Sequence, residues 1–452
     1  MHDDGVIIIQ EADKRILSIC GPAYDVRVEN SRIANYIISA ELSSGVLYYS
    51  NLTGELIWVP DLSVAFQYMV SHWIIIPKSI NELNFIDGII KVQKFLKPVA
   101  KQFKTYEIST TTHCNANCFY CYERRYVGKK NMEQKVAFDV ADFIYKTCAD
   151  ATILKWFGGE PLLNTQAIDI ITNRISLLGV SFSSQIVTNG YLFDSFMISK
   201  AADLWHLKRA TITIDGTERI YNKTKAFQGV SNNPFYKVID NIDVLTKFGI
   251  KVSIRINIDY FNVNNIANLI KYLCDRYNPD IIDFRFQLLI DTFPEESIDS
   301  RRKRPLYDAI INIMNDTIQY GYKVINSLPK GFDGSNCPAD KGNHIEIDPN
   351  GNLSHCLTDS HLSFIGTIYD YGCVEALQSF VGTHIEAPHL PLCVSCPMYI
   401  RCIPSHGCSF IHGKIKCNED RKMFIITEQQ LAMRQLFKET IIKRNNETKS
   451  SI

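Results

Sequence analysis

Residues 106–121 read Tyr106-Glu107-Ile108-Ser109-Thr110-Thr111-Thr112-His113-Cys114-Asn115-Ala116-Asn117-Cys118-Phe119-Tyr120-Cys121. A short strand, Tyr106–Ser109, runs into a loop with the pattern Cys-x3-Cys-x2-Cys. Three thiolates at this spacing can wrap one face of a [4Fe–4S] cube and leave one iron without a protein ligand. Zinc is the competing reading, but a zinc site wants a nearby fourth ligand. His113 is the one close candidate, and its adjacency to Cys114 makes joint ligation awkward.

Beyond this loop the chain alternates strand and helix. Further strands are expected at Thr152–Phe157, Gln185–Val187, Ala210–Ile214, Val252–Ile258 and Ile282–Leu289. Several are near-continuous apolar or β-branched runs, as parallel strands buried on both faces should be. Helical patterns lie near 132–148, 166–178, 195–204, 235–248, 263–277 and 304–320. Six consecutive βα units over residues 105–325 predict an α/β fold, a partial (β/α)6 TIM-like barrel. Such barrels carry their chemistry at the C-terminal ends of the strands. Polar endings fall there: Gly158-Gly159-Glu160-Pro161, Thr188-Asn189-Gly190 and Thr213-Ile214-Asp215-Gly216. A lone Gly-Gly or Asn-Gly pair is an ordinary turn. Three such endings facing a three-cysteine loop are hard to explain as turns only.

Upstream, residues 1–100 predict a small α+β module. Tyr36–Glu41 and Val46–Tyr49 read as a hairpin around Ser43-Ser44-Gly45, Asp61 caps a helix reaching about Val70, Trp73–Ile76 is a short strand and Ser79–Phe95 a further helix. The unit is either a winged-helix-like module or a plain cap on the next domain. Downstream, residues 331–420 lose periodicity and gain Gly, Asn, Pro, His and Cys, and Thr427–Arg444 reads as an amphipathic helix within a closing segment, 427–452.

Composition narrows the function. With 48 Lys+Arg against 48 Asp+Glu in 452 residues, no basic excess exists to displace counterions, which argues against a nucleic-acid partner. No stretch approaches the ~18 apolar residues that span a bilayer. The acidic start Met1-His2-Asp3-Asp4 and the short run Val6–Ile9 do not make a signal peptide. Fourteen cysteines in a chain of this kind predict a cytoplasmic, reducing compartment with thiols engaged in metal or redox chemistry.

The residues quoted resemble those of the radical S-adenosylmethionine (SAM) enzymes over about residues 105–325. That resemblance implies that Cys114, Cys118 and Cys121 hold a cluster whose open iron is chelated by SAM. It also implies that Tyr120 lies against the adenine side, that Gly158, Gly159 and Glu160, followed by Pro161, bind the SAM amino group, and that Thr188, Asn189 and Gly190 line the pocket. Thr213 stands where relatives place a Ser that hydrogen-bonds SAM. Lys225, in Asn222-Lys223-Thr224-Lys225, stands where many relatives have an Arg on the SAM carboxylate. Lys offers a point charge rather than a bidentate fork, and a solvated surface lysine is the alternative.

A second cysteine group runs Cys337, Cys356, Cys393-x2-Cys396-x5-Cys402-x5-Cys408 and Cys417. A zinc ribbon accounts for four of these but not easily for the Cys337/Cys356 pair. The order resembles the SPASM extension of radical SAM enzymes, which binds two auxiliary clusters. The resemblance implies that Cys393, Cys396, Cys402 and Cys417 ligate one, and Cys337, Cys356 and Cys408 the other, leaving it one open iron. The chain would then hold three [4Fe–4S] clusters and draw electrons from a donor such as flavodoxin or ferredoxin. Cys148 and Cys274 read as core thiols in helical patterns.

The front region is similar to the precursor-recognition module of ribosomal-peptide maturases, on Tyr48-Tyr49-Ser50-Asn51-Leu52-Thr53-Gly54-Glu55 and Ile76-Pro77-x3-Asn81-Glu82. Such modules add a leader peptide as a strand. The expected activity is a thioether or carbon–carbon cross-link in a precursor peptide. Two alternatives stand beside it. One is an anaerobic sulfatase maturase, disfavoured because Leu357 rather than Asp follows Cys356. The other is a non-enzymatic iron–sulfur carrier, disfavoured because a carrier needs no Gly158-Gly159-Glu160-Pro161 pocket.

Overall fold

The computed structural model describes residues 6–21, 26–96, 102–121, 123, 128–230, 233–289, 300–324, 328–329, 343–354, 364–370, 395–401 and 419–450. The first unit comprises β1 (Ile7–Gln10), α1 (Lys14–Cys20), β2 (Ser31–Ile33), β3 (Ile37–Leu42), β4 (Gly45–Ser50), β5 (Leu56–Val59), α2 (Leu62–Ser71), β6 (Ile75–Pro77) and α3 (Glu82–Leu96). Its main sheet has the antiparallel order β1-β5-β4-β3, and β2 pairs with β6. The expected hairpin forms, with Leu42 paired to Gly45 across Ser43-Ser44. Asp61 caps α2 by accepting a hydrogen bond from the Ser63 amide at 2.8 Å. Strands β1, β2 and β5 and helix α1 are additions to the sequence reading. Each is a short run whose identity depends on a partner elsewhere in the chain.

The central sheet is built from β7 (Phe103–Ser109), α4 (Gln134–Thr147), β8 (Cys148–Phe157), α5 (Thr165–Leu177), β9 (Phe182–Thr188), α6 (Ser195–Asp203) and β10 (Leu207–Thr213). It continues with α7 (Glu218–Lys225), α8 (Pro234–Lys247), β11 (Lys251–Ile258), α9 (Val263–Arg276), β12 (Ile282–Leu288) and α10 (Ser300–Gln319). Strands β7 to β12 are parallel and lie in chain order. Right-handed crossovers between strands that always advance in one direction put every helix on the same face, so the other face becomes the inside of a partial barrel. The expected (β/α)6 unit is thus present.

Its strands correct one expectation. They are not apolar on both sides. Tyr106, Ile108, Leu154, Trp156, Ile186, Ala210, Ile212, Val252, Ile254, Ile256 and Phe284 pack into the helix-side core. The alternate positions are polar: Glu107, Lys155, Gln185, Arg209, Thr211, Arg255, Asp283 and Arg285. The β-branched runs hid this period-two alternation because Ser and Thr sit between the charges. Cys148 also differs, opening β8 half-exposed rather than lying in a helix, whereas Cys274 lies in α9 as expected.

Beyond β7 the sheet is extended by β13 (His344–Ile347), which is parallel to β7, then by β14 (Asn352–Ser354) and β15 (Phe364–Thr367) as antiparallel neighbours. The closing helix α11 (Glu419–Ser450) is longer than expected. It buries two stripes rather than one. Phe424, Ile425 and Leu431 meet the barrel core, while Ile426, Met433, Leu436 and Phe437 meet the β1-β5-β4-β3 sheet. At about 100° per residue these stripes face in roughly opposite directions, so the helix is a strut between the two units. Among the described residues, no helix is long and apolar enough to cross a membrane.

Candidate active site

The three-cysteine loop sits at the C-terminal end of β7 and is fastened from three sides. From β8, the Gly159 amide donates to the Thr111 carbonyl at 2.9 Å and the Glu160 amide to the His113 carbonyl at 2.8 Å. From α7, the Asn117 amide donates to the Lys225 carbonyl at 2.8 Å, and from beyond it the Gln228 amide donates to the Asn115 carbonyl at 2.9 Å. From the β9 tip, Asn189 Nδ2 donates to Asn115 Oδ1 at 2.7 Å. The two glycines therefore have a backbone role. A Cβ at Gly158, whose φ is +118°, would lie 2.2 Å from the Thr111 carbonyl oxygen, and one at Gly159 would lie 2.3 Å from that of His113. Only glycine lets β8 come this close to the loop.

Glu160 is fully buried. Its carboxylate accepts from Thr188 Oγ1 at 2.7 Å, the Asn189 amide at 2.8 Å and the Leu162 amide at 3.2 Å. Burial pushes its pKa up to about 7 against these hydrogen bonds. Thr188 Oγ1 also accepts from the Gly190 amide at 2.9 Å, so the β8 and β9 tips form one hydrogen-bonded unit. Pro161 is buried at the first position of the short turn that follows Glu160. Thr213, half-buried, ends β10 on the inner face beside Arg255 of β11.

Lys225 is not a surface lysine. It is 3% exposed and forms an ion pair at 3.0 Å with Asp215, which is fully buried. Lys225 Nζ donates to the Tyr120 hydroxyl at 2.7 Å, and that hydroxyl donates to Asp215 Oδ2. The other Asp215 oxygen accepts from the Asn257 amide at 2.9 Å. Burial works against the Lys225 charge, but Asp215 outweighs it and the net shift is upward. Tyr120, from within the cysteine loop, is thereby locked to the tip of β10.

Three residues enlarge the site beyond the sequence reading. Asp215 was visible as a polar strand ending, but its pairing with Lys225 was not. Tyr221 lies one helical turn before Lys225 on α7, fully buried, with a hydroxyl that has no hydrogen-bond partner among the described residues. The i, i+4 spacing of Tyr221 and Lys225 was the available signal. Arg255 is a half-buried cation on the inner face with no hydrogen-bond or ion-pair partner among the described residues.

The donor set fits an iron–sulfur cube. Cys114, Cys118 and Cys121 are half-buried thiols on one short loop. The Ala116 amide points at Cys114 Sγ at 3.4 Å, and Asn115 Nδ2 is buried with no hydrogen-bond partner among the described residues. Burial holds the Cys114 thiol neutral, with a pKa pushed up to about 12, so metal binding must release that proton. In the second cysteine group, only Cys396 falls within the described residues. It packs against the core of the first unit, and Tyr399 of the same segment donates from its hydroxyl to Asp87 at 3.0 Å. Cys337, Cys356, Cys393, Cys402, Cys408 and Cys417 lie outside the described residues.

A parallel (βα)6 sheet with a cluster-type cysteine loop docked on a Gly-Gly-Glu tip defines a radical SAM enzyme. Residues 108–273 match the family described as the Radical SAM superfamily, and the chain carries a radical SAM domain. The GTP 3',8-cyclase of Clostridium perfringens (strain 13 / Type A) is 27% identical over 271 residues, covering 55% of this chain and 79% of that protein. That of Clostridium acetobutylicum is 30% identical over 173 residues, 36% of this chain and 51% of that protein. In structure, the chain is similar to native anSMEcpe with bound AdoMet, at TM-score 0.59 and 15% identity over 75% of this chain and 100% of that one. It is also similar to Streptococcus suis SuiB bound to precursor peptide SuiA, at TM-score 0.51 and 13% identity over 84% of this chain and 96% of that one.

Proposed function

We propose that this protein is a SPASM-type radical SAM peptide maturase that cross-links a precursor peptide. The observation that carries the radical SAM part is the backbone docking of the three-cysteine loop onto Gly158, Gly159 and Glu160. A cluster held by Cys114, Cys118 and Cys121 would supply the one electron needed for reductive cleavage of SAM, the source of a radical able to abstract hydrogen from substrate. The chain's own residues hold and orient. Glu160, with Thr188 and Asn189 fixing its oxygens, receives the SAM ammonium. Thr213 and Gly190 line the pocket. Lys225 and Tyr120 brace the loop through Asp215. The SAM carboxylate needs a cation whose charge is not already met, and Arg255 suits this better than Lys225.

The peptide part rests on the order of the seven downstream cysteines and on the extra α+β unit at residues 1–100. It is supported by fold similarity to SuiB bound to its precursor peptide and to anSMEcpe bound to the Cp18Cys peptide. Two auxiliary clusters at the downstream cysteines would accept the electron released as the cross-link closes. A nucleotide-cyclising activity is the second reading, because the curated relatives named above are GTP 3',8-cyclases.

Anaerobic reconstitution tests the reading. The protein should turn brown, bind about twelve irons per chain if all three sites are cubes, and form 5′-deoxyadenosine with dithionite. Colourless zinc protein, or no 5′-deoxyadenosine, overturns it. Incubation with GTP separates the two substrate classes. A cyclised nucleotide product favours the second reading, and uncoupled SAM cleavage with intact GTP favours the first.

A further inference from the structure

The inner face of the sheet carries a second set of donors that the SAM site does not use. Strand β13 runs parallel to β7 with Glu346 opposite Glu107 and His344 opposite Thr105. Ile345 and Ile347 of β13, like Tyr106 and Ile108 of β7, are committed to the helix-side core. The alternation of side chains then turns Glu107, His344 and Glu346 to the inner face together. One ligand atom from each, two carboxylate oxygens and an imidazole nitrogen, all lie within 4.8 Å of one another.

This group is buried but poorly satisfied. His344 is 5% exposed and Glu346 6%. Glu346 Oε1 is 3.4 Å from His344 Nε2, and Oε2 is 3.4 Å from Ser354 Oγ. Charge-assisted hydrogen bonds normally close to about 2.7–2.9 Å, so among the described residues a carboxylate more than nine-tenths buried has only two contacts, both at the outer limit of bonding. Among the described residues the cation that approaches the group is Lys155 on β8, 3.9 Å from Glu107. Two carboxylates facing each other across a strand pair repel. Burial raises both carboxyl groups, Glu346 to about 8, and lowers His344 to about 4. The protein alone relieves the repulsion by taking up protons. A cation would relieve it equally well, and the neutral imidazole is in the form that ligates metal.

We propose that Glu107, His344 and Glu346 form a divalent-cation site of the N/O-donor class, separate from the thiolate sites. Two carboxylates and one imidazole suit Mn²⁺, Fe²⁺ or Zn²⁺, with water or a substrate oxygen in the remaining positions. The site ties β13, which opens the C-terminal region, to the first barrel strand. It lies on the inner face of the sheet, opposite the helix-side core.

Manganese is the discriminating probe, because thiolates are poor ligands for it and the cluster cysteines do not compete. Reconstituted enzyme, treated briefly with EDTA and desalted, is titrated with MnCl2 while free Mn²⁺ is followed by electron paramagnetic resonance. One ion should bind per chain with a Kd below about 100 μM, and Glu346→Gln and His344→Gln should each weaken it at least about tenfold. Glu107→Gln, at a half-buried position, serves if either variant fails to fold. Absence of stoichiometric binding, or binding unchanged in these variants, overturns the proposal.

Discussion

The docking of β8 on the cysteine loop makes Gly159→Ala the sharpest single perturbation. A Cβ at this position would stand 2.3 Å from the His113 carbonyl oxygen, 2.7 Å from its carbonyl carbon and 2.9 Å from that of Thr112. All three are backbone atoms, so no side chain can rotate away. Against ordinary contact distances of about 3.5 Å the loop must retreat by about 1 Å. That retreat strains or breaks the Gly159–Thr111 and Glu160–His113 hydrogen bonds, worth about 1 kcal/mol each. Overpacking adds about 1–3 kcal/mol. The alternative to paying this locally is a displaced Cys114, and a 1 Å misplacement costs on the order of 10²-fold in rate. The φ of Gly159 lies outside the left-handed region, so the effect is one of contact and not of backbone strain; Gly158→Ala adds that strain, at φ +118°. The assay pairs iron content and 5′-deoxyadenosine formation with circular dichroism. Folded protein with reduced iron and about 10²-fold slower SAM cleavage is expected. Gly88→Ala is the control: its Cβ meets nothing within 4 Å in α3, and it should be neutral or stabilise slightly. Gly159→Ala with wild-type iron and a rate within about threefold of wild type would refute the docking argument.

The other expectations concern charge. Lys225→Met leaves Asp215 buried without its cation and should destabilise the fold by about 3–5 kcal/mol. Adding Asp215→Leu should recover part of that loss in urea unfolding, and strict additivity of the two changes would contradict a direct pair. Arg255→Met should raise the Kd for SAM at least about tenfold with little change in stability; an unchanged Kd removes Arg255 from the carboxylate site. In EDTA-treated protein, Glu346 stays protonated in the fold up to about pH 8 but ionises near 4.5 when unfolded. Its contribution to stability is therefore complete below 4.5 and lost as pH rises to 8. His344, lowered to about 4, acts in the opposite sense between 4 and 6.5, so the two offset there. From pH 6.5 to 8 Glu346 adds its own fall, about 2 kcal/mol at about 1.4 kcal/mol per pH unit, to that of the other raised carboxyl groups, Glu107, Glu123 and Glu160. The urea midpoint should therefore fall further in wild type than in Glu346→Gln. An equal fall in both assigns it elsewhere.

The barrel was legible because each of its units advertises a local period. All six strands and the six helices named in advance lie where expected, to within a few residues. The Gly-Gly-Glu, Thr-Asn-Gly and Thr-Ile-Asp endings were legible because strand tips are turns, and turns show in composition. What escaped depends on contacts between distant residues. Lys225 carries no mark of its buried partner, because the nine residues between it and Asp215 fold back through α7. The inner-face cation site was invisible for the same reason. His344 and Glu346 look like an isolated alternating strand until β13 is placed beside β7, more than 200 residues earlier. Helix α7 itself was missed because it is short, polar and held mainly by Tyr221 and Lys225 turning inward. For all seven downstream cysteines the spacing remains the argument.

The position of α11 bears on how a peptide could enter. A leader that binds by strand addition needs an open sheet edge, and the first unit has two, β1 and β3. Both are touched by α11. Gln430 Nε2 donates to the Ser39 carbonyl of β3 at 2.8 Å, and Arg444 donates to the Ile8 carbonyl of β1 at 3.2 Å. The same helix buries Phe424 in the barrel core and packs along α10. A strand arriving at β3 must therefore compete with a side chain of a helix whose other face belongs to the barrel. Each such bond is worth only about 1 kcal/mol, small beside the several main-chain bonds a strand would form, so the edge is guarded but not closed. Displacing Gln430 perturbs α11 at a point only a few residues from Phe424 and Leu431, its contacts with the barrel. If the front unit takes up a leader as proposed, that binding and the packing around the barrel would be mechanically joined through one helix.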